Sequence, residues 1–267
     1  QSGREKAQNA LTIADGRNSG LVLDCKKSAC AFSDILAAAG RTVGSYKSPD
    51  SETLAKREAE QRKEAKKHAA QAKAVWNEAL PIAGTLAEAY LRGRGITCQL
   101  PKSLRFHPNC WHGLTAKRYP AMVAAVQGNQ LAAVHRTYLK TDGSGKADIE
   151  PSKMMLGATK RAAVRLSECR KHLVVAEGIE TALSLSSGLL SAPAGVWAAL
   201  STSGMRGLAL PPVAGHLTIA SDGEQAGREA ANALAARAND LGWQVTLLPA
   251  PDGLDWNDVL MMKGETV

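Results

Sequence analysis

The spacing of apolar positions divides the first 80 residues into three parts. Two short apolar runs around a polar turn at "GRNSG" predict a β-hairpin within residues 10–31, and "FSDILAAAG" predicts a short helix that ends at Gly40. Residues 51–80 are rich in Ala, Lys, Glu and Arg and contain no Gly, so they predict one long helix. Its apolar stripe is thin, so we expect only one end of this helix to pack on a core.

The pattern changes again in the remaining two thirds of the chain. In residues 81–168, "TLAEAYLRGRGI" predicts a helix ending near Gly93, "AMVAAVQGNQLAAVHRTYL" predicts a hairpin that turns at Gly128 and Asn129, and "KTDGSGKADIEPSKMMLG" predicts a polar loop. After residue 171 short apolar runs alternate with helical segments, which predicts βαβ crossovers and a largely parallel sheet. The boundary between these patterns lies near 168–172.

Composition and charge narrow the class of protein. The chain has 267 residues, of which 45% are hydrophobic, enough for one large domain or two smaller ones. It has no run of 18 apolar residues, and its first residues lack the apolar core of a signal peptide, so we expect a cytoplasmic protein with no membrane partner. Lys and Arg outnumber Asp and Glu by 33 to 25, and the net charge of +8 favours a polyanionic partner.

Three of the predicted strands are followed by carboxylates. Glu177 follows "LVVA", Asp222 and Glu224 follow "LTIAS", and Asp255 and Asp258 follow "VTLLPAP". Parallel strands end at the same edge of a sheet, where ligands bind, so these side chains and Glu180 are expected to share one small volume. Like charges so close together oppose folding, and a divalent cation resolves the conflict. Carboxylate oxygens suit Mg²⁺ or Mn²⁺, and two metals about 4 Å apart would serve phosphoryl transfer.

A structural alternative exists for the pair Asp222 and Glu224. An acidic pair that follows a strand and precedes a helix is commonly a helix N-cap with its capping-box partner. The segment "SDGEQAGREAA" fits that pattern as well. What favours a metal site is that acids follow three different strands in the order that a shared edge requires.

Three motifs resemble the Toprim domain, the metal-binding module of bacterial-type DNA primases, type IA and II topoisomerases and certain nucleases. They are "LVVAEGIETALSL", "LTIASDGEQAGREAA" and "GLDWNDVL", and the primase branch is the most similar. The resemblance implies an α/β fold over 171–267, Rossmann-like, with a mainly parallel sheet flanked by helices. It implies that the catalytic residues are Glu177, Asp222 and Glu224, and that the Mg²⁺ or Mn²⁺ ligands are Glu177, Glu180, Asp222, Glu224, Asp255 and Asp258. The family has Asp where this chain has Glu224, which leaves the number of metals open.

The N-terminal part resembles half of a zinc ribbon of the kind that begins phage and plasmid primases. This partial ribbon covers residues 1–45, with Cys25 and Cys30 as two zinc ligands. Structural zinc needs four ligands, and the expected first pair would precede Gln1, so we expect Zn²⁺ in an intact protein rather than in this chain. The segment "HPNCWHG" also contains metal-binding residue types, but a packed loop is the favoured interpretation.

The middle of the chain resembles the region that precedes Toprim in phage and plasmid primase-helicase proteins. The resemblance implies a long charged helix or linker over 46–80 and a basic α+β primase subdomain over 81–170. It also implies a basic surface for template and nucleotide, as phosphate binding requires. The basic residues concentrated here are Arg136, Lys140, Lys146, Lys153, Lys160, Arg161 and Arg165.

The resemblance therefore predicts a DNA primase core of phage, plasmid or other mobile-element type. Its partners would be a single-stranded DNA template and NTPs, with a replicative helicase as a further candidate. A metal-dependent Toprim nuclease and a non-catalytic nucleic-acid-binding replication module remain as alternatives. A topoisomerase is disfavoured because all four tyrosines precede residue 171. The chain also lacks the Gly-x-x-x-x-Gly-Lys-Ser/Thr phosphate loop of a helicase.

Overall fold

The computed structural model describes residues 11–15, 21–25, 30–38, 40, 50–168 and 171–264. The chain divides into two compact units, residues 1–63 and residues 64–267. In the first unit β1 (Leu11–Asp15) pairs antiparallel with β2 (Leu21–Cys25), and α1 (Phe32–Ala38) follows, as the apolar pattern predicts.

The zinc-ribbon prediction falls largely outside the described residues. The structure describes the backbone of Cys25 but not its side chain, and it places Cys30 on the surface. Zinc binding by this pair therefore stays a prediction.

The long predicted helix is present as α2 (Ser51–Glu78). The side chain of Asp50 caps it, because Oδ1 accepts a hydrogen bond of 2.7 Å from the Thr53 amide. Ala69 and Ala72 are its buried residues, and Ala72 packs with Val123 in the second unit. The helix therefore packs through its C-terminal part, as its thin apolar stripe predicts.

The second unit contains an antiparallel sheet in its N-terminal half. The strand order is β3-β4-β5-β6-β7. The strands are β3 (Leu80–Pro81), β4 (Leu104–His112), β5 (Lys117–Val126), β6 (Ala133–Tyr138) and β7 (Lys153–Gly157). The predicted hairpin around Gly128 corresponds to β5 and β6, and the predicted helix before it is α3 (Leu86–Gly93). The segment predicted as a polar loop ends in β7, which pairs with β6.

The C-terminal half of the second unit contains a mainly parallel sheet, in the order β12-β11-β9-β10-β8. Its strands are β8 (Val164–Arg165), β9 (His172–Ala176), β10 (Gly195–Ala198), β11 (His216–Ser221) and β12 (Gln244–Pro249). The helices are α4 (Ile179–Ser184), α5 (Thr202–Gly207), α6 (Gln225–Asp240) and α7 (Trp256–Gly264). Only β8 runs antiparallel. The α/β class with a mainly parallel sheet is confirmed.

Apolar residues cover both faces of the parallel sheet. On one face Val174 and Ile179 share a core with Leu91 and Met122 from the N-terminal half of the unit. On the other face a second core contains Ile219 with residues of α5 and α6. Burial of both faces explains why the strands read as continuous apolar runs. No helix among the described residues is long and apolar enough to cross a membrane.

Candidate functional site

The sheet topology places the ends of β9 and β11 side by side. The two strands are parallel neighbours, and their register pairs Ala176 with Ala220. Glu177 comes one residue after the first of these, and Asp222 comes two residues after the second. Both carboxylates therefore leave the sheet at the same rim, where ligands bind in open parallel sheets.

The acidic cavity lies at this rim, with a volume of about 240 Å³. Five carboxylates of the described chain line it: Glu177, Asp222, Glu224, Asp255 and Asp258. Uncharged residues, such as Thr202 at the start of α5, complete the lining, and no described Lys or Arg is among them. The structure thus brings together five of the six acids expected to bind metal.

The acids raise one another's pKa. The pKa of Asp222 rises from 3.8 to about 7, mainly because of burial and then because of Glu177, Asp255 and Glu224. Burial and the charge of Glu224 raise the pKa of Glu177 as well. In addition, Oδ1 of Asp222 is buried and has no hydrogen-bond partner. A buried carboxylate oxygen without a partner is a costly feature that a cation would relieve.

The acidic cavity fits a divalent cation by the chemistry of its ligands. Carboxylate oxygens are the ligands that Mg²⁺ and Mn²⁺ prefer. Among the described residues, no three acidic, His or Cys side chains lie close enough to coordinate an ion as they stand. Coordination would therefore require the carboxylates to rotate toward one another within the cavity.

Helix capping accounts for the pair Asp255 and Asp258 but not for Glu224. Asp255 Oδ1 accepts hydrogen bonds from the amides of Asn257 and Asp258, and Asp258 Oδ2 accepts one from the Asp255 amide. This reciprocal arrangement has the form of a capping box at the start of α7. Glu224 is the N-cap residue of α6, but its side chain forms no capping hydrogen bond. The structural alternative considered for the Asp222 and Glu224 motif is therefore realised at residues 255–258 instead.

Gly223 holds two of the acidic loops against each other. A Cβ on Gly223 would lie 1.9 Å from the carbonyl oxygen of Pro251, a distance no side chain tolerates. The Gly223 amide also donates a hydrogen bond of 2.8 Å to the carbonyl of Leu254. Only glycine therefore allows Asp222 and Asp255 to approach from neighbouring loops.

Glu180 has a different environment from the other five acids. It is 4% exposed and does not line the acidic cavity. Its Oε2 accepts a hydrogen bond of 3.0 Å from Lys153 Nζ, and its Oε1 accepts one of 2.9 Å from the Tyr90 hydroxyl. Burial alone would raise the pKa of Glu180, but Lys153 and then Lys146 outweigh it and hold the pKa well below its usual range. In this arrangement Glu180 anchors a lysine, and its role as a metal ligand stays a prediction.

Lys153 lies beside the acidic cavity. Its positive charge lowers the pKa of both Glu177 and Asp222, against the larger effects of burial and neighbouring acids. Lys146 lies close to Lys153. Burial and then the positive charge of Lys153 lower the pKa of Lys146. Lys153 has three donors and Glu180 accepts one, so the ammonium group can bind a further anion. The two lysines place cationic groups next to the acids.

The other basic residues expected to bind nucleic acid occupy varied positions. Arg136 is 6% exposed and donates to the carbonyl of Trp111 at 3.2 Å, so it lies inside the sheet rather than on a basic surface. Lys140 pairs with Asp148 at 3.3 Å, and Lys160 is exposed. Arg161 and Arg165 line a different cavity, described below. Of this set, the structure therefore brings Lys153 within electrostatic reach of the acidic cavity, and Lys146 lies next to Lys153 and Glu180.

Sequence reasoning did not predict two residues near the acidic cavity, Tyr90 and Thr202. Tyr90 falls in the apolar pattern of α3 and reads as a core residue, yet its hydroxyl holds Glu180. Thr202 begins α5, a six-residue helix too short to show a period. The Ser201 side chain accepts a hydrogen bond from the Gly204 amide, and this cap is the local signal that could have located α5.

Comparison with known families identifies the C-terminal part of the chain. Residues 172–266 match the Toprim domain. All the described residues that line the acidic cavity lie within this matched segment. Residues 66–166, just before it, match a domain of unknown function (DUF7146). No curated protein sequence matches the chain with significance.

Solved structures similar to the chain include three bacterial primases. A DNA primase domain from Pseudomonas aeruginosa is 19% identical, with a TM-score of 0.43, over 73% of this chain and 75% of the other. The RNA polymerase domain of Mycobacterium tuberculosis primase is 17% identical, with a TM-score of 0.43, over 74% and 79%. The zinc-binding and RNA polymerase domains of Aquifex aeolicus primase are 13% identical, with a TM-score of 0.46, over 98% and 78%.

Proposed function

We propose that the chain is the catalytic core of a DNA primase that synthesises short RNA primers on a single-stranded DNA template. The observation that carries this proposal is the acidic cavity with the Lys153 charge acting on Glu177 and Asp222, and with Lys146 next to Lys153 and Glu180. Acids that suit a divalent cation, next to cations that suit phosphates, match the needs of a metal-bound triphosphate. The net charge of +8 is consistent with a polyanionic template.

The proposed metal ligands are the carboxylates that face the cavity. Asp222, with its unpartnered buried oxygen, is the central one, and Glu177, Glu224 and Asp255 surround it. Asp255 and Asp258 each have one oxygen engaged in the cap of α7, which leaves the other oxygen of each for a cation. A divalent cation bound there would neutralise charge on the triphosphate and on the developing pyrophosphate.

The protein's own side chains have separate tasks in nucleotidyl transfer. The 3′-hydroxyl of the growing RNA attacks the α-phosphorus of an incoming NTP, and pyrophosphate leaves. Glu177 accepts the hydroxyl proton, a role that its raised pKa favours. Lys153 and Lys146 bind phosphate oxygens, and Glu180 with Tyr90 keeps the Lys153 ammonium in place. A cytoplasmic location, a helicase partner and zinc in an intact protein belong to the same proposal.

A primer-synthesis assay tests this function. The protein is incubated with single-stranded DNA, labelled NTPs and Mg²⁺ or Mn²⁺, and the products are separated by size. We expect short RNA products from the unmodified protein and at least a 100-fold loss for Asp222→Ala. Glu229→Gln is the matched control, because Glu229 is an exposed acid that pairs with Arg206 outside the cavity.

The other outcomes separate the alternatives. Shortened DNA without RNA synthesis would replace the primase with a Toprim nuclease that uses the same carboxylates. DNA binding without either reaction would identify a non-catalytic replication module. Either result contradicts the proposal.

A further inference from the structure

A second cavity lies beside the edge strand β8 and its neighbour β10, and we call it the edge cavity. Its volume is about 810 Å³, and none of its lining residues also lines the acidic cavity. Its lining includes Lys102, Ser103, Arg161, Arg165 and Trp197. A volume of this size is in the range of small-molecule and cofactor sites.

The edge cavity is cationic. Lys102, Arg161 and Arg165 line it and are exposed, while Glu168 is the only acid among its lining residues. In the part of the chain that the structure describes, none of these three cations forms an ion pair with a carboxylate. Burial and then the charge of Arg161 lower the pKa of nearby Arg237, whose Nη2 donates to the carbonyl of Leu208. Uncompensated positive charge of this kind favours an anionic ligand.

The wall of the edge cavity contains two buried polar atoms without partners. Trp197 is 4% exposed, and its indole Nε1 has no hydrogen-bond partner among the described residues. The Ser103 hydroxyl is likewise buried and unpartnered. Buried polar groups in folded proteins normally have partners, so a pair of such atoms in one cavity wall points to a polar ligand. The guanidinium carbon of Arg165 lies 4.4 Å from the centre of the Trp197 ring, in cation–π contact with it.

We infer that the edge cavity binds a nucleotide, either free or as one unit of a single strand. Arg161 and Lys102 would bind the phosphate, the stacked guanidinium of Arg165 would carry the base, and Ser103 and Trp197 would supply hydrogen bonds. This site goes beyond the proposed catalytic cavity and does not depend on its activity.

The position of the edge cavity suits a ligand near the reaction site. Helix α5 begins at Thr202 in the acidic cavity and ends next to Leu208 in the edge cavity. A helix of this length extends about 9 Å. The two cavities are therefore close enough for a single strand to reach both.

Binding assays test the edge cavity. They contain EDTA, which removes divalent cations and so prevents metal-dependent binding at the acidic cavity. The probes are a fluorescent oligodeoxythymidine of about 12 nucleotides, within the usual range of single-strand site sizes, and a fluorescent ATP. We expect the double variant Arg161→Ala/Arg165→Ala to bind at least tenfold more weakly than the unmodified protein. Its salt dependence should also fall by about one phosphate contact, because Arg161 would bind the phosphate and Arg165 the base. Ser103→Ala should weaken binding about two- to tenfold, as expected for one hydrogen bond.

The control variant is Lys73→Ala/Arg206→Ala, which removes two exposed cations outside the edge cavity. Circular dichroism confirms that each variant is folded. If the Arg161→Ala/Arg165→Ala variant loses binding of both probes, the cavity is a site for free nucleotides. If it loses binding of the oligonucleotide alone, the cavity is a site for a strand. Both results support the inference. If neither probe binds the unmodified protein, or if the Arg161 and Arg165 variant binds like the control, the inference is wrong.

Discussion

At the scale of single residues, Asp222 determines much of the behaviour of the site. Its folded-state pKa of about 7 is raised from 3.8. The stability associated with this group is therefore fully present below about pH 4 and is lost as the pH rises through about 7. Without a cation, the folded protein carries this cost at neutral pH.

Asp222→Asn should therefore stabilise the protein when metal is absent. We expect the free energy of unfolding at pH 8 in EDTA to rise by about 1 kcal/mol, after allowance for solvent screening at this partly exposed site. Urea unfolding of both proteins measures the change. A variant less stable than the unmodified protein would show that Asp222 is not under electrostatic strain.

His135 gives a second prediction, for acid stability. It is buried on β6, and burial lowers its pKa to about 4, against a smaller opposite effect of Glu180. A lowered His pKa means that stability is lost as the pH falls from about 6.5 through 4. His135→Leu should reduce that loss by about 3 kcal/mol in urea unfolding at pH 7 and pH 4. The exposed His68→Gln serves as control, and an equal loss in all three proteins would refute the prediction.

At the scale of elements, the loops after β11 and β12 depend on close backbone contact. Gly223→Ala would force its Cβ into the Pro251 carbonyl and separate the loops that carry Asp222 and Asp255. We expect at least a tenfold loss of Mn²⁺ affinity and a destabilisation of about 1–3 kcal/mol. Gly207→Ala is the matched control, because a Cβ there meets nothing within 4 Å. Equal Mn²⁺ affinity in both variants would exclude this role for Gly223.

The elements also show what the sequence could and could not predict. Strands β9, β10 and β11 were predictable because burial on both faces makes them apolar runs. β4 was missed because it contains Pro108 and a register shift between His107 and Cys110, which break the alternation. The gathering of acids at one rim follows from parallel strands. The contact between Tyr90 and Glu180 does not, because it joins residues 90 positions apart.

At the scale of the whole molecule, the two sheets of the second unit share one apolar core. The predicted boundary between residues 170 and 171 therefore falls inside one compact unit, residues 64–267. The domain boundaries as such stay a prediction. The shared core explains how Lys153 on β7 and Tyr90 on α3 reach Glu180 on α4.

We propose that the acids at the rim of the parallel sheet bind a divalent cation, and every role proposed for this site depends on that binding. Titration of Mn²⁺ into the protein, followed by electron paramagnetic resonance of the free ion, measures this binding directly. We expect Mn²⁺ binding by the unmodified protein and by Glu229→Gln, with at least a tenfold weaker affinity for Asp222→Asn. Equal Mn²⁺ binding by Asp222→Asn and the unmodified protein, or no binding by either, would contradict the proposal.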